Sequence, residues 1–243
     1  MNYELKGICL SFGELSVLDR LDIEFPPSSV SAILGPSGCG KTSLLKIVAG
    51  LLSPNAGSIF GLDSARVSYC FQEPRLLPWL NVRDNILFAL SGLGDDKMAE
   101  ERADRFILEA GLESFASAKP RTLSGGMKQR VNLARAFAYP SDILLLDEAF
   151  ASVDLDLKVG LLDLFGTLWE EERRTAIMVT HDIQDALYVA DRIVLLSERP
   201  ARLKKIIDIP GRGGRVYGLP EPEAARSVYE ALFKGGQIAK PGS

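Results

Sequence analysis

Short, uninterrupted apolar runs alternate with longer amphipathic stretches along most of this chain. Such runs are typical of strands buried on both faces of a parallel sheet, and the amphipathic stretches are typical of helices. The runs that predict buried strands are 30–34, 143–146, 176–179 and 193–196. The order of these elements therefore predicts an α/β fold with a mostly parallel sheet.

Two segments depart from this alternation. Residues 5–10 and 18–25 are apolar-rich and separated by a short polar turn, which predicts an antiparallel pair of strands. Residues 80–135 are richer in charge and have a helical pattern. We therefore expect one domain over 1–243, with an antiparallel β lobe, an inserted helical lobe at about 80–135, and a C-terminal extension from about 210 to 243.

Composition narrows the class of protein further. The chain has 243 residues, 47% hydrophobic and 25% charged, which is ordinary for a soluble globular protein. Its net charge of −4 argues against broad nucleic-acid binding. Its three scattered cysteines suggest neither a disulfide framework nor a zinc site. Because no apolar run is long enough to span a bilayer and no signal segment is seen, we expect a cytoplasmic location.

A glycine-rich loop follows the apolar run 30–34. It fits G-x-x-x-x-G-K-[ST], between a predicted strand and a predicted helix, which is the context that a phosphate-binding loop requires. Its backbone N–H groups can converge on an anion, Lys41 can neutralise the β- and γ-phosphates, and the Thr42 hydroxyl can bind Mg²⁺. The alternative is an ordinary turn before a helix. The candidate nucleotide contacts are Gly35, Pro36, Ser37, Gly38, Cys39, Gly40, Lys41, Thr42 and Ser43.

Two acids, Asp147 and Glu148, end the apolar run 143–146. Open α/β sheets bind ligands at the carboxyl ends of their strands, which is where these carboxylates are expected. Asp147 is suited to hold Mg²⁺, and Glu148 is suited to polarise a water that attacks the γ-phosphate. The alternative is that the two acids merely cap the next helix.

Several further motifs occur in a fixed order with these two. Leu-Ser-Gly-Gly-Met at 123–127 precedes a helical run, Gln72 follows a predicted strand, and His181, the single histidine, follows the run 176–179. With the phosphate loop, they make residues 3–209 resemble the ATP-binding cassette (ABC) ATPases. In that comparison 123–127 matches the signature motif, Gln72 the Q-loop, 152–154 the D-loop and His181 the switch histidine.

The resemblance implies the ABC ATPase fold, ATP and Mg²⁺ as ligands, and a role for each matched residue. Phe12 would stack on adenine and Val17 would contact the nucleotide. The implied catalytic residues are Glu148, His181, Gln72 and Lys41, and the implied metal ligands are Thr42, Gln72 and Asp147. A second copy, arranged head to tail, would contact the ATP through Ser124, Gly125, Gly126, Met127 and Asp154. A lone histidine or strand aromatic is, by itself, more often structural.

The segment Gln72–Trp79 indicates a branch of the family. Its sequence QEPRLLPW, like 198–202, resembles the ATPase subunits of nitrate, sulfonate, taurine and bicarbonate importers. That resemblance implies a peripheral protein on the cytoplasmic face of the inner membrane, with multi-span permease subunits as partners and, indirectly, a solute-binding protein. Trp79 would lie partly exposed and receive the permease. The alternative for Trp79 is a local hydrophobic cluster under a loop.

Two residues depart from the family pattern, since Met127 and Ala149 stand where glutamine or glutamate and proline are usual. Neither departure removes a catalytic group. The main alternative function is a soluble ABC-type ATPase acting on nucleic acid or the ribosome. Those proteins usually carry a long coiled-coil insertion or two cassettes, and neither is seen, so we expect no nucleic-acid partner. A small-molecule kinase would share the phosphate loop but has no use for the signature motif.

Overall fold

A computed structural model describes residues 2–62, 64–151, 153–211, 215–219 and 222–233. Short 3₁₀ turns occupy Glu113–Phe115 and Pro120–Thr122. The strands and helices follow along the chain as β1 (Tyr3–Phe12), β2 (Leu15–Phe25), β3 (Val30–Leu34), α1 (Lys41–Val48), β4 (Ala56–Phe60), β5 (Val67–Cys70), α2 (Val82–Leu90), α3 (Asp96–Glu109), α4 (Gly125–Ala138), β6 (Ile143–Asp147), α5 (Leu155–Glu171), β7 (Thr175–Val179), α6 (Ile183–Val189), β8 (Arg192–Leu196), β9 (Leu203–Asp208) and α7 (Pro222–Phe233).

The chain divides into two compact units. The first unit contains Met1–Ser64 and Ile177–Ser243, and the second contains Ala65–Ala176. The boundary falls within β7, whose first two residues belong to the second unit. The expected helical lobe at about 80–135 falls wholly within the second unit, and the organisation of 1–243 as one domain stays a prediction.

The first unit contains a small antiparallel sheet in the order β2-β1-β4. Leu5 of β1 lies opposite Ile23 of β2 and Ile59 of β4. Residues on one face of β1 are buried while their neighbours are more exposed, as expected for strands with one face on a core. The antiparallel pair predicted from 5–10 and 18–25 is confirmed.

The same unit contains the strands that carry the phosphate loop. β3 pairs in parallel with β8, Ile33 opposite Val194, and β9 adds an antiparallel edge with Ile206 opposite Val194. All five residues of β3 are buried, which explains its unbroken apolar sequence. Within this unit the sheet is therefore parallel between β3 and β8 and antiparallel between β8 and β9.

In the described residues of the second unit, the parallel strands β5 and β6 are combined with helices α2 to α5. β5 and β6 pair in parallel, with Tyr69 opposite Leu145. The helical core is built on aromatic rings, since Phe137 lies 6.4 Å from Phe106 and 5.9 Å from Phe165 between ring centroids. These distances are typical of favourable aromatic pairs. The predicted α/β fold with helices between buried strands is confirmed.

Candidate nucleotide site

The glycine-rich loop connects β3 to α1 through a backbone that needs glycine. Gly40 has φ of +116°, and a Cβ there would lie 2.7 Å from Cγ1 of Val17 and 2.8 Å from Cδ2 of Leu18. Any larger residue would therefore clash with β2 and strain the backbone. The buried Val17 packs directly against the turn that starts α1.

The amino terminus of α1 differs from those of helices α2 to α6. Gly40 is its N-cap and offers no side-chain acceptor to the first-turn amides. Uncapped helix N-termini carry unsatisfied N–H groups and a positive dipole end, which suit a phosphate. A side chain accepts a first-turn amide at α2 to α6, where the caps are Asn81, Asp95, Ser124, Asp154 and Asp182.

Lys41 is folded over the loop that precedes it. Its Nζ donates hydrogen bonds of 2.8 Å to the carbonyl oxygen of Gly35 and 2.9 Å to that of Pro36. The side chain is only 6% exposed. The next residue, Thr42, lies exposed in the first turn of α1. The loop thus holds a cation and a hydroxyl beside the open helix end.

His181 comes to the same edge of the first unit. The N–H of Thr180 donates to the carbonyl oxygen of Ile33 at 3.4 Å, so the ends of β7 and β3 are adjacent. His181 follows Thr180 and is exposed, and the glycine-rich loop follows β3. Phe12 ends β1 and is 53% exposed, as a ring that stacks on a ligand must be.

In the second unit, Asp147 is held by a tyrosine that the sequence reasoning missed. The hydroxyl of Tyr69 donates to Oδ2 of Asp147 at 2.8 Å. Burial, and then this bond, raises the pKa of Tyr69 well above its usual value, so the hydroxyl remains a donor. Because β5 and β6 run in parallel, Gln72, just after β5, and Asp147, the last residue of β6, lie at the same edge of the pair.

Glu148 follows Asp147 in an unusual backbone conformation. Its φ is +48°, in the left-handed region that residues other than glycine rarely adopt. The turn is closed by a hydrogen bond of 3.0 Å from the N–H of Ala151 to the carbonyl oxygen of Glu148. Such strain, of order 1–3 kcal/mol, is found most often at functional sites.

Helix α4 fixes the backbone around Gln72. Gln129 donates from Nε2 to the carbonyl oxygen of Gln72, and Asn132 donates from Nδ2 to that of Phe71, each at 2.8 Å. Arg135 continues the row and donates a hydrogen bond of 2.7 Å to the carbonyl oxygen of Pro74. The sequence reasoning missed these three residues, although polar side chains every third residue on a buried helix are a visible signal.

The signature residues form the start of α4. Ser124 caps the helix, its Oγ accepting from the N–H of Met127 at 3.2 Å, and Gly125 is exposed. A Cβ on Gly126 would lie 3.1 Å from Leu157, so this glycine allows close packing. Asp154 caps α5 and is exposed. The D-loop assignment also includes Ser152, which lies outside the described residues. Contact of these residues with a second chain's nucleotide stays a prediction.

Two features are absent from the described residues. No group of three or more histidine, cysteine, aspartate or glutamate side chains there could hold a metal ion. No helix in the described ranges has both the length and the apolar character needed to cross a bilayer.

A glycine-rich strand–loop–helix turn on a largely parallel sheet, with a lysine over it, defines a nucleotide-binding α/β protein. The family model described as ABC transporter matches residues 18–151. This range includes both the loop and the two acids. The chain therefore belongs to the ABC transporter family, as an ATP-binding subunit with ATPase activity, and the predicted ABC ATPase fold is confirmed.

Individual relatives are similar over nearly the whole chain. The aliphatic sulfonates import ATP-binding protein SsuB 2 of Pseudomonas syringae pv. tomato is 41% identical over 95% of this chain and 94% of its own. SsuB 1 of Agrobacterium fabrum is 37% identical over 97% of this chain and 85% of its own. A similar solved structure is an ATP-binding cassette seen as a dimer in a post-hydrolysis state, bound to ADP and inorganic phosphate. It matches with a TM-score of 0.73 and 27% identity, over 86% of this chain and 99% of its own.

Proposed function

We propose that this chain is the ATP-hydrolysing subunit of an importer and that the loop 35–43 is where it holds the nucleotide. The contact of Lys41 with its own loop, beside the uncapped end of α1, carries this proposal. The loop amides and Lys41 bind the β- and γ-phosphates, and His181, at the same edge, contacts the γ-phosphate. Phe12 stacks on adenine.

The remaining catalytic roles follow from the chemical groups that the side chains carry. Thr42, Gln72 and Asp147 offer hydroxyl, amide and carboxylate oxygens, the hard donors that suit Mg²⁺. Mg²⁺, when bound, neutralises charge on the phosphates. Glu148 accepts a proton from the attacking water, and its left-handed backbone is of the strained kind found most often at functional sites. The family match, over residues 18–151, includes Thr42, Gln72, Asp147 and Glu148.

We assign the working form to a head-to-tail pair of these chains. The exposed signature residues Ser124 and Gly125, with Asp154, would complete the phosphate site of the second copy. The solved relative with ADP and inorganic phosphate is dimeric, which supports this assignment. ATP then joins the two chains, and its hydrolysis releases them.

The permease would bind at a loop that is rigid yet exposes an aromatic ring. Asn85 is buried and bonds to the N–H of Leu77 at 2.8 Å and to the carbonyl oxygens of Leu77, Leu80 and Asn81 at 3.2, 3.3 and 2.8 Å. Trp79, within this loop, is 67% exposed. Exposed aromatic anchors on fixed backbone are typical of binding hot spots. We place this contact on the cytoplasmic face of the membrane.

We propose a small anionic solute for the importer, of the sulfonate, nitrate, taurine or bicarbonate kind. The two SsuB relatives are named as import proteins for aliphatic sulfonates, which favours a sulfonate here. The solute itself would meet a solute-binding protein and the permease and not this chain.

The test of the nucleotide site is Lys41→Ala. We expect ATP affinity to fall by the value of a charge-assisted hydrogen bond, about 2–3 kcal/mol, and ATP hydrolysis to stop. Fluorescence titration with a labelled ATP analogue and a phosphate-release assay measure the two effects. Lys46→Ala is the matched control, because Lys46 is exposed on the same helix. Equal losses in both variants, or none in either, would reject the assignment of the loop.

A further inference from the structure

A segment near the C-terminus is bound to helix α6, in the same unit as His181. The guanidinium of Arg215 donates from Nη1 to the carbonyl oxygens of Ala190 at 2.7 Å and of Leu187 and Tyr188 at 3.3 Å. These are carbonyls of the last turn of α6, which have no partner within the helix. Arg215 thus caps the C-terminus of α6 with a positive charge, which also suits the helix dipole.

Tyr217 continues this attachment towards the other end of the helix. Its ring meets that of Tyr188 edge to face, with centroids 5.6 Å apart. Its hydroxyl donates to Oδ1 of Asp185 at 2.8 Å. Asp185 is only 2% exposed, so its carboxylate depends on donors supplied by the protein. Burial and this bond raise the pKa of Tyr217, which keeps the hydroxyl a donor at ordinary pH.

The second oxygen of Asp185 leads to the residues on either side of His181. Oδ2 of Asp185 lies 3.5 Å from the hydroxyl of Thr180, and that hydroxyl accepts a 3.0 Å hydrogen bond from the N–H of Asp182. Thr180 and Asp182 flank His181 in the chain. A continuous row of polar contacts therefore runs from Tyr217 to the loop that carries His181.

We infer that Tyr217 is a positioning residue for His181: its hydroxyl orients Asp185, and Asp185 orients the Thr180–Asp182 turn. This inference rests on the proposed role of His181 at the γ-phosphate. The backbone of this turn sets the point from which the exposed side chain of His181 extends. Small displacements of a group that contacts the reacting phosphate are costly to turnover, and much less costly to ground-state binding.

The test is Tyr217→Phe, which removes one oxygen and keeps the ring beside Tyr188. We expect kcat for ATP hydrolysis to fall about fivefold or more, with the dissociation constant for ATP changed by less than about twofold. Thr180→Val, which removes the next hydroxyl of the row, should give a similar loss of kcat. Tyr139→Phe, the same substitution in the second unit, is the control and should leave kcat unchanged.

A second arm separates positioning from a general structural effect. If Tyr217 acts through His181, Tyr217→Phe should lower the single-turnover rate in the native background and leave it unchanged in the His181→Ala background. An equal loss in both backgrounds, a kcat within about twofold of native for Tyr217→Phe, or a loss confined to the melting temperature would each overturn the inference.

The inference and the proposed function fail in different ways. If His181→Ala and Lys41→Ala both hydrolyse ATP at the native rate, the proposed function is wrong and the inference falls with it. If those two variants lose activity while Tyr217→Phe keeps its kcat, only the positioning role of Tyr217 is rejected.

Discussion

The hydroxyl of Tyr69 donates a 2.8 Å hydrogen bond to Oδ2 of Asp147, from the neighbouring parallel strand. The tyrosine ring is itself stacked on Phe71, with centroids 4.3 Å apart. The donor is therefore held in place on two sides. Asp147, which we assign to Mg²⁺, has its carboxylate oriented by a residue 78 positions earlier in the chain.

Tyr69→Phe tests this relationship, since it keeps the stacked ring and removes the donor. Loss of a hydrogen bond that orients a metal-binding carboxylate commonly weakens metal affinity by 10–100-fold, so we expect about tenfold more Mg²⁺ to be needed for half-maximal ATPase activity. Activity at saturating Mg²⁺ should largely return. A titration of ATPase rate against Mg²⁺ measures this shift, and an unchanged half-saturation point would show that Tyr69 does not support the metal ligand.

The head-to-tail dimer predicts one specific crosslink. In a Glu148→Gln variant, which keeps the shape of the base but cannot accept the proton, ATP should hold two chains together. Cysteines placed at Ser37 and Ser124 should then form a disulfide between chains, seen as a dimer on non-reducing gels. In the control pair, the second cysteine is placed at the exposed Ser91 instead of at Ser124. A 37–37 crosslink instead of a 37–124 crosslink would indicate a different arrangement of the chains.

Trp79→Glu should separate permease binding from ATP hydrolysis. Trp79 is exposed on a loop fixed by Asn85, and truncating an aromatic anchor of an interface commonly costs about 2 kcal/mol or more. We expect the purified subunit to keep its basal ATPase rate and to lose its permease in a pull-down. Leu108→Glu is the matched control, because Leu108 is also exposed, on α3. If Trp79→Glu unfolds early and loses ATPase activity, Trp79 is a structural residue.

Glu172 predicts a pH dependence of stability in the second unit. Burial alone would raise its pKa, but Arg102, Arg105 and Arg174 outweigh burial and hold the pKa below its ordinary value. The carboxylate bonds to Arg102 and Arg105 at 2.8 Å each. The folded chain therefore releases this proton more readily than the unfolded chain. The stabilisation is present above the unfolded pKa and is lost as pH falls through the folded pKa.

The corresponding variant is Glu172→Gln. Glu172 is half-buried and Arg105 is more exposed, so removing this charge costs less than it would in a fully buried pair, and we expect a loss of about 1–3 kcal/mol in the free energy of unfolding at pH 7. The difference in unfolding free energy between this variant and the native chain should shrink as pH falls below about 4.3, the ordinary pKa of a glutamate carboxyl. Urea titrations at pH 7 and in acid measure both effects. Glu170→Gln, which breaks an exposed pair with Arg173, should cost about 1 kcal/mol or less.

The amino-acid sequence by itself determined the buried strands, the glycine-rich loop and the acids that end β6. These features are local: a strand buried on both faces must be apolar throughout, and the turn at Gly40 excludes a Cβ. The sequence also placed His181 and Gln72 directly after strands. Their position at a sheet edge follows from the parallel direction of those strands.

Only the tertiary structure decided which distant groups hold the candidate site residues in place. Tyr69 reaches Asp147, Gln129 reaches the backbone of Gln72, and Tyr217 reaches Asp185 across separations of 78, 57 and 32 residues. Each of these bonds depends on strand register or on the packing of a helix to within a few tenths of an ångström. Apolar periodicity predicts which face of an element is buried. It carries no information on which polar group across the core that face will meet.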